Sequence, residues 1–172
     1  CSNNLKQIAL AFHKYHDVYK TFPPAYIPDE NGQPKHSWRV LILPFLEQSR
    51  IYEQYKFDEP WNSPNNMAVT SQAVPVYSCP SSPAGSPGST ETSYMVITGP
   101  GTVFDGGKAC KISEIVDGTS NTLMVVEAKG TGVNWAEPRD LDASTVTYPL
   151  GSGTGNSPDS NHPGGLNAAL CD

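Results

Sequence analysis

Charge is scarce in this chain. Only 16% of its 172 residues are Asp, Glu, Lys or Arg, against roughly 25% in an ordinary soluble domain. Acids outnumber bases 17 to 11, for a net charge of -6. A phosphate backbone is held by clustered Lys and Arg, and the densest basic segment is Lys35-His36-Ser37-Trp38-Arg39, so nucleic acid is excluded as a partner. No apolar run approaches the roughly 20 residues that a membrane-spanning helix needs. Catalytic fingerprints are missing too. Gly106-Gly107-Lys108-Ala109 lacks the hydroxyl residue and the upstream Gly of a phosphate-binding loop, and no GxSxG nucleophile elbow occurs. Gly151-Ser152-Gly153-Thr154-Gly155 is not preceded by a strand, and Pro158 interrupts any helix after it, so it is a loop and not a dinucleotide site.

What is plentiful is punctuation: 15 Gly and 16 Pro, which limit long regular elements. The hydrophobic fraction of 37%, with three Trp, eight Tyr and five Phe, suffices for one core, and we expect a single globular domain over 1–172.

Leu5, Ile8, Ala9, Phe12, Tyr15, His16 and Tyr19 follow helical spacing, which predicts an amphipathic helix from Ser2 to about Tyr19, stopped by Pro23-Pro24. Asp29-Glu30-Asn31-Gly32 is a tight turn. Ser37 is an N-cap for a second helix through Trp38, Leu41 and Ile42, kinked or divided at Pro44 before Ile51, Tyr52 and Tyr55. Residues 58–66 are a loop with Trp61 as an aromatic anchor. Val74 to Cys79 is a short strand that Pro75 confines to a sheet edge. Tyr94-Met95-Val96-Ile97 and Thr122 to Glu127 are the best strands, the second central because it is nearly all apolar. Ile112 to Val116 is a helical turn, Asp117 to Asn121 a turn, and Leu166 to Leu170 a last strand. Helices first and strands later give an α+β fold: an N-terminal amphipathic helix packed on a small, mainly antiparallel sheet in a loop-rich head.

Cys1, Cys79, Cys110 and Cys171 form no CxxC pair and have no His at zinc-finger spacing, which excludes zinc-finger, thioredoxin-like and c-type haem patterns. An even number of dispersed cysteines beside turn residues suggests two disulfides in an oxidising compartment; the alternative is four buried thiols in the cytosol. Composition leaves all three pairings open. His13 and His16 are three apart on the first helix but have no third ligand, so His16 is placed at the apolar edge and His13 in solvent. Asp117, Ser120 and Asn121 offer oxygens to calcium, yet an ordinary capped turn explains them equally. No catalytic residue is assigned and no cofactor is expected, calcium at that turn being the alternative.

Several segments resemble, in order, a known bacterial family: Cys1 to Asp17, Phe22-Pro23-Pro24, His36 to Gln48 including Trp38, Phe57-Asp58-Glu59-Pro60-Trp61, Cys79-Pro80-Ser81, Ile115 to Thr122 with Val126-Glu127, and His162-Pro163-Gly164-Gly165. The chain is similar to the prepilin-type family of unknown function defined by a C-terminal His-x9-Asp-Gly motif, with His162 and Asp172 at the motif's spacing. The family motif positions are thus His162, Asp172, Asp117, Asn121, Trp38 and Trp61.

The resemblance implies a non-enzymatic subunit like the pseudopilins of type II secretion or the minor pilins of type IV pili. Its expected location is extracytoplasmic, on the periplasmic face of the inner membrane or in a surface filament. Its expected partners are other pilin-like subunits or copies of itself. The membrane would be reached only through a hydrophobic N-terminal helix preceding Cys1, and a further strand would follow Asp172, so the chain is expected to be truncated at both ends. The family motifs favour Cys1 with Cys79 and Cys110 with Cys171; Cys79 with Cys110 closes a shorter loop and stays open. Two other readings have different requirements. An extracytoplasmic glycan or small-ligand binder would expose loop aromatics such as Trp61 and Trp135 around a pocket, and a hydrolase would place His162 in a cleft beside a nucleophile.

Overall fold

The computed structural model describes residues 1–82, 88–146 and 157–172. Helix α1 (Ser2–Tyr19) buries Leu5, Ile8, Ala11 and Phe12 and leaves Leu10, Val18 and Tyr19 exposed. It ends before the proline pair: Lys20 turns left-handed at φ 64° and its N–H bonds to the His16 carbonyl at 2.7 Å. The stop is therefore an αL cap. Phe12 anchors the helix among aromatics, 5.0 Å from Trp38, 5.5 Å from Phe104 and 6.4 Å from Phe22 between ring centroids.

The Asp29 turn closes a hairpin, which the turn residues alone do not predict. Strands β1 (Tyr26–Pro28) and β2 (Pro34–Ser37) pair antiparallel, and the Asp29 carboxylate accepts from the backbone N–H groups of Asn31 and Gln33, both at 2.8 Å. Ser37 caps α2 (Trp38–Leu41), its hydroxyl accepting from Arg39 N at 3.2 Å. As the proline requires, a 3-10 turn at Leu43–Leu46 carries Pro44 in its first turn, and α3 (Ser49–Gln54) follows as a separate helix. Within the segment read as a loop, Ser63 starts a further helix, α4 (Pro64–Thr70), by accepting from Asn66 N at 3.1 Å. Serine at the cap and proline at the first helical position were the available signal.

Three strands form the central sheet in the order β3-β5-β7: β3 (Tyr94–Met95), β5 (Leu123–Glu127) and β7 (Ala168–Leu170), all antiparallel. The apolar strand is the middle one, as expected, with Met124, Val125 and Val126 almost fully buried. Strand β4 (Ile97–Thr98) pairs instead with the unforeseen β6 (Leu141–Asp142), in parallel. The chain switches partners at Val96, whose N–H donates to Asp140 Oδ1 at 3.0 Å. The fold is α+β, with α1 against β5 and β7.

Val74 to Cys79 is not a strand. Pro75–Tyr77 form a 3-10 turn, and the buried Tyr77 hydroxyl donates to the Arg39 carbonyl at 2.6 Å. Pro75, with its fixed φ, opens the turn. Beneath β3 lies a buried ion pair, Arg39 Nη2 to Asp140 Oδ1 at 2.5 Å. The guanidinium also donates to the carbonyl of Tyr94 and to Ser37 Oγ, and stacks on Trp38 at 4.6 Å. The glycine-rich segment at 151–155 lies outside the described residues.

Candidate functional site

Local structure delivers four chemically active side chains to one place. Cys1 is the N-cap residue of α1, its carbonyl accepting from Asn4 N at 2.9 Å and Leu5 N at 3.1 Å. Cys79 follows the Pro75 turn and is held by its N–H to Ser93 Oγ at 3.0 Å. The two are joined in a disulfide with their Cα atoms 5.0 Å apart, the first of the pairings that the resemblance implied. Glu127 ends the central strand opposite Tyr94 and is 2% exposed. His162 lies in the loop leading to β7, its N–H donating to Ser160 Oγ at 3.0 Å.

The His162 ring faces this cluster. Its Nε2 lies 3.4 Å from Glu127 Oε1 and 3.7 Å from Cys79 Sγ. The two oxygens of Glu127 have different duties. Oε2 accepts from Asn167 N at 2.8 Å and Asn167 Nδ2 at 3.1 Å, which fixes the carboxylate; Oε1 is buried and accepts no hydrogen bond. Next to them Lys129 Nζ pairs with Asp159 Oδ2 at 3.2 Å, and Asp159 N donates to the Glu127 carbonyl at 2.9 Å. A cavity of about 10 Å³ lies between Cys79, Glu127, Lys129 and Asp159, room for about one water or ion. The donor atoms of Cys1, Cys79, Glu127 and His162 all lie within 4.8 Å of one another.

The remaining predicted positions lie elsewhere. Trp38 is core, its indole N–H donating to Asp140. Trp61 is half-buried and packs on the main core. Asp117 is exposed, and its carbonyl accepts from Asn121 Nδ2 at 3.0 Å, so the calcium candidates form a capped turn. Asp172 is exposed. Cys110 and Cys171 are free thiols, which corrects the second implied bridge, and Cys79 already has its partner. Cys171 is held by its backbone N–H to the Thr119 and Thr122 carbonyls, while the Cys110 thiol donates to the Lys111 carbonyl at 3.4 Å. Burial pushes the Cys171 thiol up to about 11, with Cys110 and Asp172 adding to the rise.

Two further expectations change. His13 is not in solvent: it is half-buried, with its ring edge-on to Phe22 and its Nε2 shielded from water. His16 packs on the same ring and accepts weakly from Ile112 N at 3.5 Å. Trp135 is not an exposed loop aromatic. It is 1% exposed, stacks on Tyr77 at 6.1 Å, and donates to the Gln72 carbonyl at 2.9 Å. That removes one of the two faces a loop-aromatic glycan site would have used.

Glu127 is the residue that reading for chemistry missed. The signal was present: an acid directly after the buried run Met124 to Val126 must turn its charge toward a partner. A model of the family described as Protein of unknown function (DUF1559) matches residues 1–147. Neither a curated protein nor a solved structure matches the chain.

Proposed function

Because the chain belongs to the DUF1559 family, which is associated with pilin-like and type II secretion proteins, we propose that it is a non-enzymatic, pseudopilin-like or minor-pilin-like subunit of an extracytoplasmic filament or secretion apparatus. The observation that carries the reading is α1. Its inner face, Leu5, Ile8, Ala11 and Phe12, seats the helix on the β5–β7 side of the sheet. Leu10 and Val18, off the centre of that stripe, and Tyr19 at its C-terminal end remain 51%, 61% and 56% exposed. A helix that packs on a head and still exposes apolar side chains offers contact area for lateral packing against like subunits.

The Cys1–Cys79 disulfide supports an extracytoplasmic location, since such bonds persist in oxidising compartments. It also ties the N-cap residue of α1 to the head. Among the described residues no helix is long and apolar enough to cross a membrane. Partners in this reading are other pilin-like subunits or further copies of the chain, which meet α1 on its exposed side.

The test is to express the gene in full in a host with a prepilin peptidase and follow processing and surface filaments. Processing, together with crosslinking of a cysteine placed at Val18 to a neighbouring subunit, is the expected result. A product that stays unprocessed and monomeric, with no Val18 crosslink, refutes the assembly role.

A further inference from the structure

We infer that Cys1, Cys79, Glu127 and His162 form a zinc-class metal site when the two cysteines are reduced, so that one location holds either a disulfide or a divalent cation. The argument begins with donor chemistry. Two thiolates, an imidazole and a carboxylate are the ligand types that a borderline-soft, tetrahedral cation takes. All four donor atoms lie within 4.8 Å of one another although the residues span positions 1 to 162.

Distances sharpen this. Zinc bonds are about 2.3 Å to sulfur, about 2.0–2.1 Å to nitrogen and about 2.0–2.2 Å to oxygen, so a tetrahedron has edges of about 3.5 Å between S and N and about 3.4 Å between N and O. Cys79 Sγ to His162 Nε2 is 3.7 Å, and His162 Nε2 to Glu127 Oε1 is 3.4 Å. Those edges are already in place. Between the sulfurs the separation must grow from a bond of about 2 Å to an edge of about 3.8 Å, and the other edges start from separations within 4.8 Å.

A second observation is independent of the cysteines. Glu127 Oε1 is buried and accepts no hydrogen bond while its sister oxygen is fixed twice by Asn167. Its polar neighbour is His162 Nε2, at 3.4 Å without a hydrogen bond; a buried carboxylate oxygen left so is costly, and a cation between it, His162 and the sulfurs would satisfy it. Asn167 then has the role of the outer partner that orients a ligating carboxylate. Lys129 is not a competitor for Oε1, because its ammonium is committed to Asp159 and the Ser160 carbonyl.

The chemistry balances. A dithiol reductant gives two electrons and two protons to the Cys1–Cys79 bond and becomes a cyclic disulfide. Binding of a divalent cation then displaces the two thiol protons, giving two Sγ–metal bonds. A disulfide oxidant takes two electrons from the thiolates and, with two protons from water, becomes a dithiol, while the Cys1–Cys79 S–S bond reforms and the ion is released. In either state the start of α1 is stapled to the head; in the metal state Glu127 and His162 share the staple, which draws the loop before β7 into it.

The test uses the 172-residue chain carrying Cys110→Ser and Cys171→Ser, so that Cys1 and Cys79 are the only thiols. Cobalt(II) and zinc are titrated into the reduced and the disulfide forms, with circular dichroism recording the fold of each. The reduced chain is expected to bind one equivalent of cobalt with a thiolate charge-transfer band and tetrahedral visible bands, to lose them to zinc, and to gain thermal stability with zinc. The disulfide form is expected to bind about 100-fold more weakly or worse, since it offers two ligands instead of four. Glu127→Gln and His162→Ala, in the reduced form, are each expected to weaken binding by about tenfold or more. Equal binding by reduced and oxidised chains, affinity unmoved by both ligand variants, or octahedral cobalt spectra would overturn the site. So would a reduced chain that unfolds and that zinc does not refold.

Discussion

Neutralising Asp140 removes one charge of a buried pair with almost no change of shape. Its carboxylate is 3% exposed and Arg39 is fully buried. Oδ1 accepts from Arg39 Nη2 at 2.5 Å and Val96 N at 3.0 Å; Oδ2 accepts from Trp38 Nε1 at 3.2 Å and Arg39 Nη1 at 3.5 Å. Asp140→Asn keeps the outline but strips the charge and turns one acceptor into a donor facing another N–H. The guanidinium keeps only neutral acceptors, the carbonyls of Tyr94 and Glu137 and the Ser37 hydroxyl. Removing one partner of a buried pair costs about 3–5 kcal/mol, a large share of the roughly 5–15 kcal/mol that holds a domain together. At about 2–4 °C per kcal/mol for a chain this size, the melting temperature should fall by roughly 6–20 °C. Urea unfolding followed by tryptophan fluorescence measures it, because Trp38 touches both members of the pair. The pairing is isolated by a cycle with Arg39→Met and Asp140→Leu: the double variant should lose less than the sum of the singles. A loss below about 1 kcal/mol for Asp140→Asn, or strictly additive singles, would refute the claim that this pair holds α2 to β3 and β6.

The Cys1–Cys79 bond closes a sequence separation of 78, for which the chain-entropy relation gives about 4.5 kcal/mol. Cys1→Ser with Cys79→Ser should lower the urea midpoint accordingly, and a loss under about 1 kcal/mol would mean that the unfolded chain is already constrained there. His36 sets an acid limit. Its Nε2 bonds to the Phe57 carbonyl at 2.9 Å, so Nδ1 accepts from the Tyr55 hydroxyl at 2.8 Å, an arrangement that suits the neutral ring. Burial first, and Lys35 next to it, lower the His36 pKa, with the Phe57 carbonyl opposing them. The unfolded chain therefore takes up a proton before the folded one does, and stability should fall as pH drops from about 6.5 through the lower folded value. His36→Gln should flatten that part of the pH–stability profile, and an unchanged slope would exclude His36 as its source.

Much of the fold was legible because its signals are local. The i, i+3/i+4 stripe from Leu5 to Phe12, the Ser37 cap and the all-apolar run Met124 to Val126 each fix an element from within a few residues. The errors occurred where tertiary contacts override local preference. Val74 to Tyr77 has strand-like side chains, but Tyr77 is drawn inward by the Arg39 carbonyl and by Trp38 and Trp135, and Pro75 suits a 3-10 start. Trp135 lies among loop residues by sequence, yet the Gln72 carbonyl and the Tyr77 ring make it core. Strand β6 is two residues long and directly follows Asp140, which pairs with Arg39.

The cluster of Cys1, Cys79, Glu127 and His162 was not legible for a different reason. No two of its members are closer than 35 positions, so spacing rules for metal ligands, which describe neighbours on one helix or one knuckle, have nothing to act on. The sheet does the assembling. Pairing of Tyr94 with Glu127 sets the carboxylate at the strand end, and Ser93, one residue before Tyr94, holds Cys79 through its hydroxyl. Pairing of Val126 with Ala168 puts Asn167 beside Glu127 and brings the chain from His162 past it. One register thus positions three of the four ligands, and the disulfide brings the fourth from the start of α1. A one-residue slip of β5 would turn Glu127 to the other face, so the site and the central sheet stand or fall together. Glu127→Gln keeps the register but not the charge, and is for that reason the variant that separates the chemistry of the cluster from the pairing that builds it.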